Sequence, residues 1–92
     1  MFVSDITVSR KLDRAAMYTI LVNLKSEQEA IDLAKRLETE VAAEDVRSEL
    51  FIWRPSDSPT VIDAYTFERS TAEAAHAWLT TVAEQAAQAK AA

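Results

Sequence analysis

Two stretches of this chain, "VRSELFIWR" and "TVIDAYTFER", flank "PSDSP" and are apolar on both of their alternating sides. In the first, Phe51 and Trp53 point one way while Leu50 and Ile52 point the other. In the second, Tyr65 and Phe67 share the parity of those rings, and Ile62 and Ala64 share that of the aliphatic set. Successive strand side chains face opposite sides of a sheet, so this reads as a hairpin with rings on one face and aliphatics on the other. Pro55–Pro59 has turn chemistry: two prolines, with Asp57 and two serines able to bond back to their own backbone. Both faces of the hairpin look buried, and the fold must cover each of them.

The remaining segments show what could do so. "FVSDITVSR", Phe2–Arg10, places Phe2, Ile6 and Val8 on one parity and predicts a strand, with "KLDRAA" as a connection. "MYTILVNL", Met17–Leu24, is the strongest strand, rich in β-branched and aromatic residues. Its even positions, Tyr18, Ile20, Val22 and Leu24, are apolar and belong under helices. Its odd positions, Met17, Thr19, Leu21 and Asn23, are mixed and suit a cavity or a second sheet. Ser26 and Glu29 form a capping box, followed by an amphipathic helix to about Ala43 with Ala30, Ile31, Ala34, Leu37 and Val41 inward. Asp32 stands four residues before Arg36, the spacing of a helix ion pair. Ser70 and Glu73 form a second capping box, and the helix after it has a stripe of Ala75, Trp78, Leu79, Val82 and Ala86. The tail "AAQAKAA" continues that helix and frays.

The order is therefore ββαββα: an α+β, ferredoxin-like antiparallel sheet with two helices on one face. A single domain spans residues 1–92, with a core at 17–85, an extra strand at 2–10 and a helical tail at 86–92. If the aliphatic side of the hairpin meets the helices, the aromatic side is left bare. Such a patch exceeds what a monomer normally leaves in water, so a second copy packed sheet to sheet is expected.

Composition excludes several functions. There is no cysteine, hence no disulfide, thiolate ligand or thiol nucleophile. There is no glycine, which argues against a phosphate-cradling loop and so against nucleotide cofactors. The formal net charge of −5, with no cluster of three basic residues, argues against nucleic acid and anionic membranes as partners. No segment approaches the about 20 apolar residues that span a bilayer, and Asp5 interrupts the run a secretory leader would need. A cytoplasmic protein is the expectation.

"MYTILVNLKSEQEAIDLAKRLETEV" followed by "RSELFIWRPSDSPTVIDAYTFERSTAEAAHAWL" resembles the dimeric α/β-barrel superfamily, and within it the antibiotic-biosynthesis-monooxygenase branch. The resemblance covers Met17–Gln85 and is carried above all by "YTFERSTAEAAHAWL", a strand ending in an aromatic and an acid before a helix bearing an aromatic. It implies a homodimer that binds a small apolar or aromatic ligand, and cofactor-independent oxygenation if the protein is an enzyme. The family returns a fourth strand after its second helix; here Phe2–Arg10 is the segment that could take that edge. Haem-degrading members place an Asn on the first strand and a Trp followed by a His on the second helix. Asn23 and Trp78 match, but His76 precedes the Trp and Gln88 stands near the ligand position, so no haem or other cofactor is expected.

The candidate catalytic residues are Asn23, Tyr65 and His76, and the candidate pocket residues are Thr19, Trp53 and Trp78. An imidazole is a ready base or ligand, yet His76 also fits the flank of a packed helix. With no second ligand one turn away it makes no metal site. Trp53 and Trp78 could line an aromatic pocket, although tryptophans of this kind are more often core or dimer interface. Asn23 either lines a cavity with Thr19 and Tyr65 or simply ends its strand. Ser56 and Ser58 have no neighbouring His–Asp pair and are not read as nucleophiles. The alternative to a ligand-binding protein is a non-catalytic dimerisation module whose aromatic face is all contact surface.

Overall fold

The computed structural model describes residues 1–10, 16–42 and 50–91, with side chains described for residues 1–10, 16–41 and 50–88. Five strands, β1 (Phe2–Val3), β2 (Thr7–Ser9), β3 (Met17–Asn23), β4 (Phe51–Trp53) and β5 (Val61–Thr66), form one antiparallel sheet. The spatial order is β1-β3-β5-β4, with β2 also pairing β3. Two helices, α1 (Glu27–Leu37) and α2 (Arg69–Ala91), pack on one side of it. The architecture is α+β and compatible with a ferredoxin-like fold. Residues 46–49 of the expected hairpin and 11–15 of the expected connection lie outside the described residues.

Period-2 alternation decides which side is dry. Ile20, Val22, Ile62 and Ala64 are at most 1% exposed and meet Ala30, Leu33, Ala34 and Leu37 of α1 and Ala75 and Leu79 of α2. The even side of β3 and the aliphatic side of the hairpin are thus the helix-covered face, as the pattern predicts.

The expected first strand is broken. Phe2 and Val3 pair with Asn23 and Val22, whereas Thr7, Val8 and Ser9 pair with Thr19, Tyr18 and Met17. The register changes by one residue between them, the signature of a β-bulge. Ser4 spans the gap: its N–H donates to Leu21 O at 2.9 Å, and its hydroxyl accepts from Leu21 N–H at 2.9 Å. The extra residue reverses the parity, so Phe2 does not share a face with Ile6 and Val8. Ile6 packs against the core while Phe2 lies exposed beside Asn23. The element order accordingly begins with two short strands before β3, not one as in ββαββα.

The helix starts differ from one another. At α1, Ser26 Oγ accepts from Glu29 N–H, and the Glu29 carboxylate accepts from Lys25 N–H, so the box closes one residue further back than its usual form. The expected box at Ser70 does not form. Thr66 Oγ1 accepts from Glu68 N–H and Thr71 Oγ1 donates to the Glu68 carboxylate, starting α2 at Arg69. Glu73 pairs with Arg69 instead.

The far end of α1 widens into a π-helical turn at Glu38–Ala42. Thr39 Oγ1 donates to the Lys35 and Arg36 carbonyls, competing with the regular ladder there. Arg36 pairs with Glu40 at 3.1 Å, not with Asp32, and its guanidinium lies 5.3 Å from the Trp78 ring centre. Ala86, expected on the inward stripe of α2, is exposed and borders a cleft with Met1 and Leu24. The turn at Pro55–Pro59 closes through main-chain bonds, Ser58 N–H to Pro55 O and Val61 N–H to Ser58 O, without the side-chain bonds expected.

Two substitutions separate core from bulge. Leu79→Ala empties a fully buried position and should cost about 2–5 kcal/mol in urea unfolding. Ser4→Ala removes an exposed bond and should cost about 0.5–1.5 kcal/mol. A Ser4→Ala protein as stable as the parent would remove the role given to this hydroxyl.

Candidate functional site

The helix-free face of the sheet is where chemistry-bearing residues gather. Phe51 and Tyr65 are opposite one another on β4 and β5, and their rings stack at 5.2 Å. Phe67 meets both edge-on, at 6.3 Å from Phe51 and 6.5 Å from Tyr65. Such pairs are worth about 0.5–1.5 kcal/mol beyond area burial. They nevertheless leave Phe51 44%, Phe67 47%, Leu21 48% and Trp53 57% exposed. Cross-strand pairing extends the same face to Thr19, opposite Tyr65, and to Asn23, opposite both Phe2 and Val61.

The six candidates do not converge on one point. Thr19, Asn23, Trp53 and Tyr65 share the open face. Thr19 lies opposite Tyr65 in the register, while Asn23 sits at the far end of β3, where its Oδ1 accepts from Thr60 Oγ1 at 3.4 Å. His76 and Trp78 belong to α2, on the other side of the sheet. His76 is half-buried beside the core residue Ala75, and Trp78 packs against the core under Arg36. A sheet lies between the two groups, and no single small ligand on the open face reaches both.

Asp63, a residue the sequence reading passed over, stands at the centre of that face. It is the one charged side chain in all five strands. It is paired with Leu21 on β3 and with Trp53 on β4, so both its cross-strand neighbours are large and apolar. Its Oδ1 is buried and has no hydrogen-bond partner among the described residues. Arg54 is next to Trp53 in sequence but turns toward α1, where it approaches Glu27 at 3.8 Å. Burial pushes the Asp63 carboxyl above the usual carboxylate range, because removing water penalises the charged form. The signal was present in the sequence: aspartate is depleted in strands, and this one interrupts "TVIDAYTFER" on its aromatic parity.

Two clefts among the described residues lie elsewhere. One, of about 320 Å³, is lined by Ile6, Val8, Arg10, Tyr18, Arg69 and Glu73. The other, of about 240 Å³, runs between Met1, Leu24, Leu33, Arg36 and Ala86. Neither is lined by any of the six candidates. Among the described residues no group of three or more His, Asp or Glu could hold a metal ion, and no helix is long and apolar enough to cross a membrane. No family model, no curated protein and no solved structure matches the chain.

Asp63 fixes a pH dependence. Its pKa in the folded protein is raised above the unfolded value, so its favourable contribution is complete at acid pH and is lost as pH rises through the folded value. Asp63→Asn should therefore raise the urea midpoint at pH 7 relative to the parent. That gain should shrink toward zero at pH 3, where the parent carboxyl is neutral too. An equal gain at both pH values would contradict an ionisation origin.

Proposed function

We propose that the protein acts as a homodimer whose two helix-free sheet faces close on each other and hold a small apolar, aromatic ligand between them. The exposed rings of Phe51, Trp53 and Phe67 carry this reading. Covering the open half of such a side chain is worth about 2–3 kcal/mol. For the three rings of one copy that is about 6–9 kcal/mol, which does no more than offset the about 4–15 kcal/mol that association itself costs. A second copy brings the same rings to the same interface and doubles the gain, which makes isologous pairing the economical cover. Thr19 and Tyr65 then supply polar groups at the ligand, with Asn23 at the rim. An oxygenase of the type the sequence resembles would have to stabilise an enolate-like anion here, which the Asp63 carboxylate on the same face opposes, so oxygenation is not part of this reading.

The second reading, a dimerisation module without ligand, is favoured by one observation. Phe51, Tyr65 and Phe67 already pack on one another, which fills the face with its own rings.

Native mass spectrometry of the purified protein tests both. A dimer carrying additional small-molecule mass supports the ligand chamber, and a bare dimer supports the module. Phe51→Ser combined with Phe67→Ser should weaken the dimer by roughly 100-fold or more. A parent chain that is monomeric at micromolar concentration contradicts both readings.

A further inference from the structure

We propose that the open sheet face selects a small aromatic cation, with the Asp63 carboxylate as counter-ion to its ammonium group and the neighbouring rings as its walls. This rests on the ligand-binding reading above and names the class of ligand.

The strands carry Asp63 and no basic residue. Leu21 flanks the carboxylate on one side and Trp53 on the other, and the nearest guanidinium along the chain, that of Arg54, is turned away toward Glu27. Asp63 is half-buried and its buried Oδ1 has no donor among the described residues, an unfavourable arrangement that a cationic donor brought to the accessible part of the carboxylate offsets. A cationic donor does most, because charge-assisted bonds are roughly twice as strong as neutral ones. The surroundings favour the same class. Trp53 presents an exposed indole beside the carboxylate, and Tyr65 follows Asp63 by two positions on β5, so it faces the same way. Aromatic faces attract cations, and ring-to-ring contact accommodates the rest of an aromatic amine. An anion is disfavoured by Asp63 itself. A neutral aromatic satisfies the rings and leaves the carboxylate unpaired.

Three water-soluble probes of similar shape separate these cases: 2-phenylethylamine, 2-phenylethanol and 3-phenylpropanoate. Their binding to the parent protein and to Asp63→Asn is measured by titration calorimetry at pH 7. The amine should bind at least about ten-fold more tightly than the alcohol, and the carboxylate most weakly. Asp63→Asn should bring the amine to the affinity of the alcohol. Asp57→Asn, in the exposed turn, should leave the ranking unchanged. Because Asp63→Asn is expected to be at least as stable as the parent at pH 7, loss of amine binding cannot be put down to unfolding. Equal binding of amine and alcohol by the parent overturns the cation preference while leaving the chamber standing. Binding of none of the three overturns the chamber as well.

Discussion

A β-sheet has two faces, and this chain supplies helices for one. The rest of the structure follows from that shortage. Along β3 and β5, one parity is buried under Ala30, Leu33, Leu37, Ala75 and Leu79, and the other presents Leu21, Asp63 and Tyr65 on the far side. The covered side explains why the chain folds. The uncovered side gathers the exposed rings and the one charged side chain of the strands.

Two opposed costs meet on the uncovered side. Exposed rings favour association, and their contribution grows with each ring that leaves water. The Asp63 carboxylate opposes it, since closing the face removes what solvent the charge still has. A surface built only to adhere to its copy would place an apolar residue between Leu21 and Trp53. The carboxylate there weakens the simple interface and suits a ligand that neutralises it. This tension is what separates a chamber from a contact surface.

The side-chain alternation of the hairpin and of β3 was readable in the sequence from its period of two, while the side of the hairpin that meets the helices is shown by the packing of Ile62 and Ala64. The cap at Ser26 was readable for a similar reason: Ser and Glu three apart before an apolar stripe satisfy specific main-chain groups. The start of α2 was not, since Glu68, Thr66 and Thr71 meet those same needs ahead of Ser70. The bulge at Ser4 was hidden because a one-residue slip leaves composition unchanged and shows only in the partner strand. The candidate site was legible in part. Thr19, Asn23, Trp53 and Tyr65 are assigned to one face by strand parity, whereas His76 and Trp78 were grouped with them by residue type alone, which carries no information about which side of a sheet a helix covers. Asp63 was missed for the converse reason, as one polar letter inside an otherwise apolar strand.

Shelter of the rings can be read from Trp53 itself. In a Trp78→Phe variant its indole is the only one left, and its emission and its quenching by acrylamide can be followed from millimolar to nanomolar protein. Shelter by a second copy predicts blue-shifted, protected emission at high concentration. On dilution it should give way to red-shifted, quenchable emission, in step with the loss of dimer by sedimentation. An indole equally quenchable at every concentration would contradict it, and with it the closed face on which the proposed ligand site depends.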